Sequence, residues 1–124
     1  MIILEAGALI SIEKGNARAT ALIKRAMDNR LSVQVPATVL AQVWRNSPRQ
    51  RPIGRLLGAA GVKVVDLDRR HAQAVGALLA GSGSADVVDA HVIVCARLTR
   101  ARAVITSDPD DLRALDPNVR LEVV

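Results

Sequence analysis

The chain contains no phenylalanine, no tyrosine and a single tryptophan, Trp44. Modules that grip single-stranded nucleic acid by stacking bases on aromatic platforms therefore lack their main device here. One cysteine, Cys95, rules out an internal disulfide and fits a reducing, cytoplasmic setting. No run of eighteen apolar residues is present, so no membrane-spanning helix is expected. The opening Met1-Ile2-Ile3-Leu4 runs straight into Glu5 with no basic segment before it, and no signal peptide is expected. Acids are missing altogether from Asn29 to Val65, where Arg30, Arg45, Arg49, Arg51, Arg55 and Lys63 are all basic. There is no Gly-x-x-x-x-Gly-Lys phosphate loop. Gly81-Ser82-Gly83-Ser84-Ala85-Asp86 lacks the third glycine of a dinucleotide fingerprint and follows a helix rather than a strand.

What is present fits one domain spanning residues 1–124, half of it hydrophobic, with a net charge of +5. That charge points to a polyanionic partner, and the acid-free stretch reads either as a solvated surface or as a phosphate-contacting strip built on Arg45, Arg49 and Arg51. Short apolar runs at Ile2–Leu4, Leu31–Val35, Val62–Val65, Ala103–Thr106 and Val119–Val123 read as strands. Between them lie helical segments. Ala8–Ile12 stops at Gly15, and Asn16 caps a helix running towards Asn29. Pro36 opens a helix with Val39, Leu40, Val43 and Trp44 on one stripe. Ile53–Ala60 ends at Gly61, Asp68 caps a helix to about Leu79, Ser84 caps the next, and Pro109–Leu115 follows the fourth strand. Strands alternating with helices predict an α/β fold with a mostly parallel sheet.

The acids carry the chemical signal. Asp89 sits one turn into a helix whose apolar residues, Val87 to Ala96, cover nearly its whole circumference, and Asp86 lies three residues earlier on the same face. Burying an ionised carboxylate is costly unless a cation compensates it, and a metal ion is the obvious candidate. Glu5 follows the first strand and Ser107-Asp108 follows the fourth. In an open parallel sheet, residues just past the carboxyl ends of neighbouring strands converge on one crevice. Glu5, Asp108 and the start of the Asp86/Asp89 helix are therefore expected to meet. Each acid has a plainer reading as well: Asp108 before Pro109 as a helix cap, Asp86 as a charge favoured by the helix dipole, Glu5 as a surface residue although a poor cap. Gln42 alone carries almost no signal. His71 and His91 show no second ligand at metal spacing, so packing or solvent roles are expected for both, and Cys95 reads as a packed thiol.

Leu4-Glu5-Ala6-Gly7-Ala8-Leu9, Val35-Pro36-Ala37-Thr38-Val39-Leu40-Ala41-Gln42-Val43-Trp44-Arg45, Ser84–His91 and Ile105–Leu112 resemble, in order, the four motifs of the PIN-domain family, and within it the small VapC-like toxins of toxin–antitoxin pairs. The resemblance implies a three-layer α/β/α sandwich, divalent-metal-dependent ribonuclease activity with Mg²⁺ or Mn²⁺, an RNA substrate, a homodimer and a cognate antitoxin. It assigns Asp89 and Asp108 to the metal, with Asp86 in support. Glu5 stands where the family has aspartate and Gln42 where it has glutamate. Two readings follow: a ribonuclease, impaired to some degree by those two residues, or a catalytically silent scaffold that binds RNA or an antitoxin.

Overall fold

The computed structural model describes all residues from Met1 to Val124. Five strands form one parallel sheet: β1 (Ile2–Leu4), β2 (Val33–Pro36), β3 (Val62–Val65), β4 (Ala103–Thr106) and β5 (Leu121–Val123), in the order β3-β2-β1-β4-β5. Seven helices flank it: α1 (Ala6–Glu13), α2 (Ala17–Asp28), α3 (Ala37–Val43), α4 (Arg51–Leu57), α5 (Arg69–Ser82), α6 (Val87–Thr99) and α7 (Pro109–Leu115). This is the three-layer α/β/α arrangement. No single helix is long and apolar enough to cross a membrane.

The burial of each strand follows its place in the sheet. Central β1 is buried at every residue, which is why it reads as an unbroken apolar run rather than an alternating one. Edge strands β3 and β5 are only partly covered, and β5 starts at Leu121 instead of Val119. The chain leaves β1 outward to β2 and β3, then returns to β4 on the other side of β1. The reversal puts the switch point between β1 and β4, where a crevice opens past the strand ends.

Several helix limits differ from the sequence reading for local reasons. Pro36 completes β2 and occupies the cap position of α3 rather than its first turn. A 3₁₀ turn at Pro48–Gln50 leads directly into α4, which ends at Gly58, three residues before Gly61. Gln50 is buried: its Nε2 donates to the Val43 carbonyl at 2.9 Å and its Oε1 accepts from the Arg45 N–H at 2.8 Å, so one amide clasps both sides of the α3–α4 loop. Arg100 closes α6 in the left-handed region at φ 51°. Arg100→Gly removes that Cβ penalty, and thermal denaturation is expected to show a gain of about 0.5–1 kcal/mol.

Candidate metal and catalytic site

Three helices start at the crevice, and an acid stands at the start of each. Glu5 caps α1, accepting the Gly7 N–H at 2.9 Å through Oε2. Asp86 caps α6, its Oδ1 accepting the Asp89 N–H at 3.0 Å. Asp108 occupies the cap position of α7, but its side chain makes no capping bond. The expectation that Glu5 is a poor cap, and that Ser84 caps α6, is thus corrected. Glu5 reaches the second N–H of its helix because its extended backbone aims the longer side chain back across the turn.

Buried Thr106, the last residue of β4, ties two of these starts together. Its hydroxyl donates to Glu5 Oε2 at 2.8 Å and accepts the Asp108 N–H at 2.9 Å. The Glu5 N–H in turn donates to the Ile105 carbonyl at 3.0 Å, so β1 and β4 stay in register up to the site. Sequence reasoning had no claim on Thr106, which looks like an ordinary strand residue until the fold puts it beside Glu5.

Asp89, on the first turn of α6, is half-buried at the centre of the cluster. Burial first, then the charges of Asp86, Glu5 and Asp111, push its carboxyl up to about 7. Asp108 is exposed, and the neighbouring Asp111 carboxylate is the main cause that raises its pKa. Asp111 belongs with the others, although an acid in the first turn of a helix is ordinary by itself. Its spacing of three from Asp108 on α7 was the available signal. The chain's two ion pairs, Lys24–Asp28 and Arg97–Asp116, include none of these acids. Glu5, Asp86, Asp89, Asp108 and Asp111 therefore share one edge with no lysine or arginine paired to them. Clustered carboxylate oxygens without a protein cation fit a hard divalent ion such as Mg²⁺ or Mn²⁺.

The sign of the Asp89 shift sets a pH dependence. A carboxyl whose folded pKa lies above its unfolded value binds more protons when folded, so stability falls as pH rises through the interval. Metal-free protein is expected to be more stable near pH 5 than near pH 8 by about 1–2 kcal/mol, a figure reduced because solvent screens the half-exposed group. Urea denaturation at the two pH values checks it. Asp89→Asn is expected to flatten the slope and stabilise the protein at pH 8.

Gly7 lets α1 pack directly against the loop between β4 and α7. A Cβ there would come within 2.8 Å of the Ser107 backbone nitrogen and overlap the Ser107 side chain. Gly7→Ala is expected to force α1 away from the β4–α7 loop and cost about 1–3 kcal/mol in denaturant unfolding.

Gln42 lies exposed on α3. It lines a cleft of about 270 Å³ with Ala6, the residue after Glu5, and with Ile10, Glu13, Arg45 and Arg49, and it makes no hydrogen bond to any of the clustered acids. Arg45 folds over the end of α3, its Nη1 donating to the Trp44 and Ala41 carbonyls at 2.7 and 3.3 Å. Arg49 stays exposed in the same cleft, and Arg51 lines the neighbouring one with Arg55 and Trp44. Trp44 does not join the buried stripe of Val39 and Val43; it is 38% exposed.

The histidines pack edge to face, and Cys95 lies beside them. His71 Nδ1 lies 3.0 Å from His91 Nε2 and 3.9 Å from Cys95 Sγ, so three donors meet behind the acid cluster. His91 and Cys95 stand four apart on α6, but nothing in the sequence places His71, on α5, beside them. His91 is held neutral, its pKa lowered by burial and then by His71, while burial pushes the Cys95 thiol up to about 12.

The family model described as the PIN domain matches residues 2–116. Among solved structures, the chain is similar to VapBC2 from Rickettsia felis bound to a DNA fragment from their promoter, at 18% identity and TM-score 0.76 over all of this chain and 99% of that one. It is similar to a toxin–antitoxin complex from Klebsiella pneumoniae, at 18% identity and TM-score 0.67 over 90% and 89% of the two chains. It also resembles VapC20 from Mycobacterium tuberculosis, a sarcin–ricin loop cleaving toxin, at 16% identity and TM-score 0.63 over 89% and 92%. No curated protein sequence matches the chain. At these identities the structural likenesses establish a shared fold.

Proposed function

The chain belongs to the PIN domain family, and from that membership we propose that it is a divalent-metal-dependent endoribonuclease, the toxin of a toxin–antitoxin pair. The observation that carries the reading is the set of acids at three helix starts, unpaired with any lysine or arginine, at the switch point of a parallel sheet. Membership alone would leave the activity open, since one fold serves many functions.

Asp89, Asp108 and Glu5 would hold Mg²⁺ or Mn²⁺, with Asp86 and Asp111 beside them. A bound dication there supplies an acidified water and charge stabilisation on the phosphate oxygens. The chain's own residues do the positioning. Asp86 fixes the first turn of α6 through the Asp89 N–H, and Thr106 holds the Glu5 carboxylate and the Asp108 backbone in one frame. With its pKa raised to about 7, Asp89 would hold a proton part of the time near neutral pH, and a bound cation would displace it. Arg49 and Arg51, with whatever donors Arg45 has left, would hold the RNA backbone beside the acids.

A silent scaffold is the second reading. Gln42 supports it by withholding a negative charge, and Glu5 Oε2 supports it by already accepting two hydrogen bonds. Incubating a mixed structured RNA with the chain, in Mn²⁺, in Mg²⁺ and in chelator, separates the two. Chelator-sensitive cutting is the expected result. Salt-sensitive RNA binding without cutting, from folded protein, leaves the scaffold reading standing.

The partners follow from the same proposal. The Klebsiella pneumoniae neighbour is a toxin–antitoxin complex, and a cognate antitoxin is inferred for this chain by analogy. A homodimer is inferred too, and light scattering of the purified chain is expected to give twice its 13.2 kDa mass.

A further inference from the structure

We propose that His71, His91 and Cys95 form a second metal site, separate from the carboxylate cluster and selective for a borderline-soft ion, with Zn²⁺ as its natural occupant. The donors come from two helices packed against each other. His91 and Cys95 are spaced four apart on α6, so both project from one face, and His71 reaches across from the first turn of α5. The three candidate ligand atoms lie within 4.8 Å of one another.

Their separations are close to those a tetrahedral ion imposes. With zinc–nitrogen bonds of about 2.05 Å and a zinc–sulfur bond of about 2.3 Å, two imidazole nitrogens sit about 3.3 Å apart and nitrogen and sulfur about 3.6 Å apart. The observed spacings are 3.0 Å for His71 Nδ1 to His91 Nε2 and 3.9 Å for His71 Nδ1 to Cys95 Sγ. Small side-chain rotations suffice to close the difference.

The surroundings are also those of a metal ligand. His91 is fully buried, and its other ring nitrogen, Nδ1, lies 2.8 Å from the Thr38 hydroxyl. With Thr38 accepting from Nδ1–H, the lone pair of His91 is left on Nε2, facing His71 and Cys95, the arrangement by which an outer partner fixes the tautomer of a ligating histidine. His71 is half-buried, so solvent can reach the cluster and a water completes the fourth position. The protons balance. On binding, His71 shifts its proton from Nδ1 to Nε2, Cys95 loses its thiol proton to solvent, and one proton is released per ion.

Imidazole and thiolate select Zn²⁺ over Mg²⁺ and Mn²⁺, whereas the carboxylates select the reverse, so the two sites are distinguishable by metal. The zinc would clamp α5 to α6 just behind Asp89, two residues from His91, and stiffen the helix that carries it.

Cobalt(II) serves as the probe, supplied during refolding of the full chain in excess Mg²⁺ so that the carboxylates are occupied. The expected spectrum has a thiolate-to-cobalt charge-transfer band in the near ultraviolet and the intense visible bands of tetrahedral cobalt, both bleached by one equivalent of Zn²⁺. Asp89→Asn is expected to leave the spectrum intact. Cys95→Ser is expected to remove the charge-transfer band, and His71→Ala, at a half-exposed position that should not unfold the chain, to weaken cobalt binding at least about a hundredfold. Folded wild-type protein that binds no cobalt overturns the assignment. So does cobalt bound without the thiolate band, or binding unaffected by His71→Ala.

Discussion

Asp89→Asn is expected to lower RNA cleavage to below about one hundredth of the unsubstituted chain while leaving the protein folded. A hundredfold loss corresponds to about 2.7 kcal/mol of transition-state stabilisation, modest for removing one charged ligand from a divalent-ion site. The fold should survive because Asn has the shape of Asp and the structural bond at this position is the Asp89 backbone N–H to Asp86 Oδ1, which the substitution leaves in place. Stability should rise above neutral pH, since an isolated carboxylate pressed against three other acids is replaced by a neutral amide. The combination is diagnostic. A residue that matters only for folding would lose activity and stability together, whereas a site carboxylate trades one for the other. Cleavage that persists in a clean Asp89→Asn preparation would remove Asp89 from the site.

Gln42→Glu is the second large effect, and it acts on metal affinity. The substitution adds a negative charge to a cleft that contains Ala6, the residue after Glu5, with Arg45 and Glu13 at its rim. A single unit-charge pair at about 4 Å contributes roughly 4 kcal/mol at the effective dielectric of such sites, before desolvation offsets most of it. We expect Mn²⁺ to bind about ten- to a hundredfold more tightly and cleavage at limiting metal to rise with it, measured by titrating Mn²⁺ into the cleavage reaction. Glu5→Asp should add to the gain, since aspartate is the better cap and draws the carboxylate back by about a bond length. If Gln42→Glu leaves the Mn²⁺ dependence unchanged, its side chain does not reach the ion. The cleft then belongs to substrate.

The acids were legible because of where they stand in the chain. A charged residue directly after an apolar strand, and another inside an apolar helix, each violate a local pattern, and parallel topology tells where such residues collect. Asp111 was harder to read, because an acid in the first turn of a helix breaks no local pattern. Thr106 was not legible, because nothing in Ala103–Thr106 marks one residue as a bridge to Glu5, 101 residues away. The cap at Glu5 was misread for a related reason. Intrinsic preferences rank glutamate low at that position, and only the sheet register at Ile105, with Thr106 beside it, makes its longer reach useful. His71, His91 and Cys95 show a different limit. His91 and Cys95 share one face of α6, but no ligand spacing ties His71 to either; the α5–α6 packing alone brings the two histidine nitrogens to 3.0 Å. Gln50 likewise gains its role from a loop geometry that polarity could not announce.

The proposed chemistry requires the carboxylates at the β1–β4 switch point to hold one divalent ion. Electron paramagnetic resonance of Mn²⁺ titrated into the chain tests this most directly, because bound manganese loses the sharp signal of the free ion. The predicted result is one strong site per chain that vanishes in Asp89→Asn, weakens in Asp108→Asn and persists in His71→Ala. Manganese that remains free in the presence of folded protein, or binding that survives both aspartate substitutions, would contradict it.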